Sequence, residues 1–189
     1  MPTTSDLLQG PRVAVRRVRR ADHEELAALA EESAEMRRRW LGAREHTLEA
    51  FEAFLARLEQ PTHEGFVLCL RETGAIVGGV NINNMVRGTL QSGTLGYTAY
   101  ASTTGHGYLT EGLGLVIQYA FDELALHRLE ANIQPENTPS LSLVKRLGFQ
   151  REGYSAAFQL INGEWRDHER WAITAGAGRG GVRRGGSPG

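Results

Sequence analysis

The segment TTGHGYLTEGL, at residues 103–113, constrains the fold more than any other stretch of the chain. It places two glycines, Gly105 and Gly107, directly ahead of a run of good helix-forming residues. Glycine is entropically costly to order, so the pair predicts a backbone that turns sharply or approaches another group closely. A helix that begins after such a backbone is a common anion site, because its N–H groups and dipole favour phosphate. On this pattern alone, a phosphate-binding loop and a plain structural turn both stay open.

The composition is that of one globular domain. The 189 residues suffice for one core, and the shares of hydrophobic (41%) and charged (23%) residues are ordinary. A net charge of −1 gives no sign of stable nucleic-acid binding or of a membrane surface. The single cysteine, Cys69, excludes an internal disulfide framework and favours a reducing compartment. Because no spanning apolar run or signal-peptide pattern is present, we expect a cytoplasmic protein.

Hydrophobic periodicity predicts the order of helices and strands. Strands are predicted over 12–20 (an edge strand), 65–70, 75–82, 92–100, 127–133 and, on either side of a turn at Asn162 and Gly163, 150–174. Helices are predicted over 21–40, 46–61, 108–126 and from Asn137 to about 147, and residues 83–88 are predicted as a loop. This order indicates an α/β protein with a mixed sheet. We expect one domain over 11–174, a flexible segment over 1–10 and a disordered Gly/Arg-rich tail over 175–189.

Two better-known phosphate motifs do not fit the glycine pair. The dinucleotide fingerprint requires a third glycine where Thr110 stands, and the nucleotide P-loop requires a Gly-Lys-Ser/Thr sequence that is missing here. The remaining arrangement is a strand, a short loop, Gly-x-Gly and a long helix, with the amides of residues 105–110 directed outward. That arrangement suits a pyrophosphate bound without metal. The six histidines show no ligand spacing, so no metal site is expected.

Three segments carry a resemblance to a known family: LGYTAYASTTGHGYLTEGL (95–113), HRLEANIQPENTPSLSLVKRLGFQREGY (127–154) and INGEWRDHERWAIT (161–174). Together they resemble the GNAT superfamily of acetyl-CoA-dependent N-acetyltransferases, over roughly residues 11–174. Within it, they look most like the Rim-type enzymes of the RimJ kind, which acetylate N-terminal alanines of ribosomal proteins. The resemblance implies a strongly twisted mixed sheet with helices on both faces, splayed between the strands at 92–100 and 128–133. The cofactor would enter that wedge, and the helices at 21–40 and 46–61 would form one wall of the acceptor groove.

The resemblance also implies which residues contact the cofactor. The strand before the loop would give main-chain hydrogen bonds to the pantetheine arm, and the loop and helix start would hold the pyrophosphate. The residues concerned are Tyr97, Thr98 and Ala99 for the arm, and Gly105, His106, Gly107, Tyr108, Leu109 and Thr110 for the pyrophosphate. A solvent-facing position is the plainer alternative for His106. Ser102 stands where the family usually has Arg or Gln, and Thr103 where Rim-type sequences often have an aromatic residue. The resemblance therefore implies a backbone cradle for the phosphates that lacks one side-chain contribution.

Asn137 and Ser140 match the NxxS motif that lies near the thioester in Rim-type enzymes. The resemblance implies that Ser140 protonates the departing sulfur and that Asn137 lies beside the cofactor. A helix N-cap and a first-turn serine are compatible structural roles for the same two residues. Gln159 occupies the position of a glutamate that acts as a base in some relatives, so the base is left open. The nearby carboxylates are read as ion-paired or helix-supporting groups: Glu152, Glu164, Asp167 and, in the first helical turn, Glu111.

The function implied by the resemblance is acetyl transfer from acetyl-CoA to a primary amine. The favoured acceptor is an N-terminal alanine of a protein, in the manner of ribosomal-protein acetylation. Two alternatives stay open: a GNAT enzyme for a small amine (an antibiotic, polyamine or amino acid), and an acyl-CoA-binding module without catalysis. A monomer or a homodimer is expected.

Overall fold

The computed structural model describes residues 6–41 and 46–176. Within these residues, eight strands form one sheet in the order β1-β2-β3-β4-β5-β6-β8-β7. The strands are β1 (Leu8–Gln9), β2 (Val13–Arg17), β3 (Glu64–Leu70), β4 (Ile76–Val86), β5 (Ser92–Ala99), β6 (Arg128–Ile133), β7 (Gln150–Ile161) and β8 (Glu164–Thr174). The helices are α1 (His23–Glu32), α2 (Ala34–Leu41), α3 (Leu48–Leu58), α4 (Tyr108–Asp122) and α5 (Thr138–Arg146). Neighbouring strands are antiparallel, except that β5 and β6 run parallel.

Apolar side chains pack on both faces of the sheet, because successive residues of a strand point to opposite sides. In β3, Phe66 and Leu68 join the larger cluster, which contains the buried face of α4. Val67 and Cys69 join a smaller cluster against Leu26 and Leu29 of α1. Helices therefore cover both faces, and the predicted mixed α/β fold is confirmed.

The wedge is visible in the strand register. β5 and β6 pair only from Ser92–Thr94 to Arg128–Glu130. Beyond that point β5 stays paired with β4 as far as Ala99, and β6 stays paired with β8 as far as Ile133. The two parallel strands therefore diverge where they were expected to splay. One backbone edge of residues 95–99 faces the opening, with no strand partner in the described part of the chain.

Helix α4 lies close against the sheet next to this wedge. A Cβ atom added to Gly112 would lie 2.5 Å from Leu68 Cδ1 of β3, so the glycine permits a separation that any side chain would prevent. The close approach holds the first turn of α4 over the sheet. Among the described residues, none of the helices is long and apolar enough for a membrane crossing.

Two predicted elements, one helix and one loop, are wrong. The helix predicted over 21–40 is two helices, because the chain leaves helical geometry at the buried Ser33, whose hydroxyl accepts a hydrogen bond from Ala101 N at 2.9 Å. The loop predicted over 83–88 is strand as far as Val86, and a register shift after Asn83 hid its periodicity. Met85 is buried, and pairing with β5 resumes at Val86, opposite Ser92.

The N-terminal boundary also needs correction. Leu8 and Gln9, placed in the flexible segment 1–10, pair with Val15 and Ala14 of β2. β2 is therefore not the edge strand that its sequence predicted. At the other end, Ala175 N donates a hydrogen bond to His127 O at 2.8 Å. Residues 1–5 and most of the predicted tail, 177–189, lie outside the described residues.

Candidate active site

The loop between β5 and α4 needs glycine at two positions. Gly105 has φ +83° and Gly107 has φ +79°, a left-handed region that residues with a side chain rarely adopt. Gly107 is the N-cap of α4, which begins at Tyr108. The backbone N–H groups of residues 105–110 have no hydrogen-bond partner among the parts of the chain that are described. Six successive free donors at a helix start are what an anion site requires.

The turn that leads into this loop is fixed by its own polar side chains. Thr103 Oγ1 donates to Val77 O of β4 at 2.9 Å, and Thr104 Oγ1 donates to Ala101 O at 2.8 Å. Ser102 Oγ donates to Glu32 Oε2 at 3.3 Å. The two departures from the family pattern, Ser102 and Thr103, thus anchor the turn to α1 and β4.

Cationic and aromatic groups surround the helix start. The ring of His106 stacks on Tyr108, with centroids 5.3 Å apart. On the other side, Arg146 Nη1 of α5 donates to Thr110 Oγ1 at 3.4 Å. Arg146 therefore brings a positive charge next to the free amides, in addition to the positive end of the α4 dipole.

The side chain of Tyr97 enters the wedge from β5. Its hydroxyl lies 2.6 Å from Ser140 Oγ at the start of α5, and either oxygen can donate. Burial raises the pKa of Tyr97 to about 12, although the bond to Ser140 lowers it in part. The phenol therefore stays neutral and able to donate at physiological pH.

The start of α5 positions Ser140. Asn137 is the N-cap, and its Oδ1 accepts a hydrogen bond from Ser140 N at 3.2 Å. Pro139 in the first turn suits the same helix start. The structure thus brings Asn137, Ser140 and Tyr97 together. No sequence pattern predicts the Tyr97–Ser140 contact, because the two residues are 43 positions apart and meet only when β5 and α5 flank the same wedge.

The carboxylates considered as bases have protein partners. Glu152 pairs with Arg128, which lowers the pKa of Glu152, and Glu164 pairs with Arg166. Asp167 forms no ion pair with any of the residues described. It accepts hydrogen bonds from Tyr154 Oη and from Ala157 N at the bulge of β7, and these lower its pKa. Gln159 lies on exposed β7, opposite Arg166.

The turn of the β7–β8 hairpin contacts α2. Asn162 Nδ2 donates to Arg38 O of α2 at 3.1 Å, and Gln134 Nε2 donates to Trp40 O at 3.1 Å. These bonds place α2 beside the wedge, where an acceptor wall was expected. Helix α3 instead packs its Leu58 against Gly65 of β3. That contact does not place α3 at the wedge, so its role as a wall of the acceptor groove stays a prediction. Among the described residues, no group of three or more His, Cys, Asp or Glu side chains is arranged to hold a metal ion.

Comparison with known proteins agrees with this geometry. Residues 12–150 match the model of the acetyltransferase (GNAT) domain family. The chain is 37% identical over 117 residues to the probable N-acetyltransferase YjcK of Bacillus subtilis. This match covers 62% of the chain and 65% of that protein. It is also 40% identical over 99 residues to the [ribosomal protein uS5]-alanine N-acetyltransferase of Escherichia coli. That second match covers 52% of the chain and 51% of the relative. The matched segments therefore span about half to two thirds of these relatives.

The solved structure of Mycobacterium smegmatis RimJ in complex with CoA-disulfide superposes with a TM-score of 0.81 at 30% identity. That match covers 88% of this chain and 86% of the other. The family match includes β2 to α5, and so all of the wedge and the loop before α4. The chain therefore belongs to the GNAT acetyltransferase family.

Proposed function

We propose that the protein transfers an acetyl group from acetyl-CoA to a primary amine. The observation that carries this proposal is the wedge itself, which has six free amides at one end and the Tyr97–Ser140 hydroxyl pair on its flank. The similarity to a RimJ structure that holds CoA-disulfide supports the same assignment.

The proposed cofactor position uses the free backbone groups on both sides of the wedge. The amide-bearing pantetheine arm would pair with the open edge of residues 97–99, as an added strand does. The pyrophosphate would accept hydrogen bonds from the amides of 105–110. With those two ends held, the thioester would lie near Asn137 and Ser140, at the start of α5.

In the proposed reaction a neutral amine attacks the thioester carbonyl, a C–N bond forms and the C–S bond breaks. The attacking nitrogen becomes acidic as it is acylated, and the leaving sulfur, with a reference pKa of about 8.5, must gain a proton. Ser140 can pass one proton to the sulfur as it accepts the proton that the nitrogen loses. Tyr97, neutral because its pKa is about 12, donates to Ser140 and holds its hydroxyl in place. The balance is amine plus acetyl-thioester giving amide plus thiol.

The favoured acceptor is a protein N-terminus, because the site offers no carboxylate base at Gln159. An α-amino group has a reference pKa of about 7.7–8.0, so roughly a third is neutral near pH 7.5. A lysine-like or polyamine nitrogen near ~10.4 is neutral only to about one part in a thousand. The uS5-alanine activity of the Escherichia coli relative points the same way.

Thiol release from acetyl-CoA tests the proposal, with a peptide that begins with alanine as acceptor. The matched control is the same peptide with an acetylated N-terminus, and a panel of spermidine, free lysine and an aminoglycoside tests the small-amine alternative. Turnover only with the free alanine peptide is expected. Turnover only with a small amine would overturn the acceptor assignment, and CoA binding without any turnover would favour a non-catalytic acyl-CoA-binding module.

A further inference from the structure

A salt bridge between the N-terminal strands and α4 lies directly beside the loop at 105–107. Arg12 Nε lies 3.0 Å from Glu111 Oε2, and the backbone N–H groups of Arg12 and Val13 donate to Glu111 Oε1 at 2.7 and 2.9 Å. Arg12 Nη1 also donates to His106 O at 2.9 Å. The guanidinium covers the ring of Tyr108, 5.1 Å from its centroid.

We propose that Arg12 is a positioning residue for the cofactor pyrophosphate: it orients the peptide between His106 and Gly107 and neutralises Glu111 beside the phosphate site. This inference rests on the proposed cofactor position at residues 105–110. It gives the Arg12–Glu111 pair a role in cofactor binding, whereas the position of Glu111 in the first helical turn predicts only helix support.

The orientation follows from peptide geometry. In a trans peptide the C=O of one residue and the N–H of the next point in opposite directions. The structure contains no cis peptide bond among the described residues. Because Arg12 holds His106 O on its own side, the Gly107 N–H points away from Arg12, to the side left for a ligand. Arg12 Nη2 lies 3.5 Å from the place a Gly107 Cβ would take, so the guanidinium also limits how the loop can move.

The negative charge of Glu111 requires a positive partner beside the phosphate site. Glu111 is in the first turn of α4, next to the amides proposed to hold two negative phosphates. Burial alone would raise the pKa of Glu111, but the hydrogen bonds from Arg12 and Val13 outweigh it and lower the pKa, so the carboxylate is charged at neutral pH. Without Arg12 that charge would repel the pyrophosphate. With Arg12 the pair is neutral and leaves the amides and Arg146 to attract the ligand.

The test compares binding of CoA with binding of pantetheine, which lacks the pyrophosphate, by titration calorimetry. Arg12→Gln should weaken CoA binding by about tenfold, because the peptide at Gly107 loses its orientation and the charge of Glu111 is no longer neutralised beside the pyrophosphate. Pantetheine binding should be unchanged. Arg17→Gln is the matched control. Arg17 is the last residue of β2, the strand that starts directly after Arg12. Its side chain is as exposed as that of Arg12 (53%), and it pairs with Glu64 at 3.0 Å, away from the loop. It should change neither affinity.

Glu111→Gln separates the electrostatic role from a structural one. The amide can still accept from the backbone of Arg12 and Val13, but the anion is gone, so CoA should bind as tightly as in the wild type or tighter, most clearly at low salt. If both variants weaken CoA and pantetheine alike, with lower melting temperatures, the pair merely supports the fold and the inference is wrong. An unchanged CoA affinity in Arg12→Gln, or a wild type that does not bind CoA, would also overturn it. CoA binding with these effects but without acetyl transfer would overturn the proposed function and leave this inference standing.

Discussion

Removal of the Ser140 hydroxyl is the sharpest test of the proposed chemistry. Ser140→Ala deletes the group that would pass a proton to the sulfur and leaves the Tyr97 hydroxyl without its partner at 2.6 Å. General acid help contributes at least about 10²-fold, so kcat should fall by that factor, which corresponds to about 2.7 kcal/mol of transition-state stabilisation. The KM for acetyl-CoA should change little, because the lost interaction belongs to the transition state.

The cost in stability is separate and can be bounded. In Ser140→Ala the Tyr97 hydroxyl loses its hydrogen-bond partner. Burial around that hydroxyl raises the pKa of Tyr97 to about 12, but the residue as a whole is only partly buried. An unsatisfied buried hydroxyl costs about 1–3 kcal/mol, and partial exposure puts this case near the lower end. For a domain of this size, about 1 kcal/mol lowers the melting temperature by roughly 2–4 °C. A fall of that size leaves the enzyme folded during the assay.

Tyr97→Phe measures whether the two hydroxyls act as a unit. If Tyr97 acts only by holding Ser140, the single variant should lose about tenfold in kcat, and the double variant should be no slower than Ser140→Ala. Tyr100→Phe is the control: Tyr100 is a buried tyrosine whose pKa is also raised by burial, but it packs in the smaller cluster with Val67 and Cys69. The assay is thiol release at saturating acceptor, with melting temperatures measured in parallel. A stable Ser140→Ala enzyme with wild-type kcat would show that Ser140 serves only the start of the helix. Additive losses of kcat in the double variant would show that the two hydroxyls act independently.

Three further outcomes are expected. Gly107→Val should raise the KM for acetyl-CoA by at least about tenfold, since it puts a side chain at φ +79° beside the phosphate site, whereas Gly74→Val, at φ +80° in an open turn, should cost stability only. Glu111 has a lowered pKa in the folded protein, so its stabilisation is present above the ordinary carboxyl pKa of about 4.3 and is lost as the pH falls through the folded value; the melting-temperature difference between wild type and Glu111→Gln should therefore shrink below about pH 4. Deletion of residues 177–189 should leave the melting temperature and kcat unchanged, because the sequence there has no core-forming run; a large loss in either would show that the tail docks.

Local chemistry explains what the sequence predicted correctly. The glycines at 105 and 107, the Asn137 cap and the Asn162–Gly163 turn each follow from a preference of one or two residues, and each is found where it was predicted. The order of strands and helices also follows from periodicity within single segments. The divergence of β5 and β6 came from the family resemblance, and no pattern within either strand predicts it.

Long-range contacts explain what the sequence left out. Helix α1 ends at Glu32, and the next residue, Ser33, accepts a hydrogen bond from Ala101, 68 positions away. Periodicity in the helix cannot record that bond. Arg12 and Glu111 are 99 positions apart, so neither the charge balance of the loop nor its geometry was accessible to motif spacing. β1 has only two residues, too short for any periodic signal, and it exists because β2 offers a free edge.

The wedge links these long-range contacts to function. A sheet that opens between β5 and β6 gives up ladder hydrogen bonds along residues 95–99, and unpaired backbone groups favour closure or collapse of such an opening. Three contacts hold the flanks apart or in place: Ser33 to Ala101 at the base of the turn, Tyr97 to Ser140 across the opening, and Arg12 to the loop at His106. Each joins elements that are distant in sequence, so the fold holds the backbone donors in position before a ligand arrives. A preorganised site loses less entropy on binding and directs its donors at the charge to be held. The same contacts that keep the sheet open are therefore those we expect to set cofactor affinity and turnover.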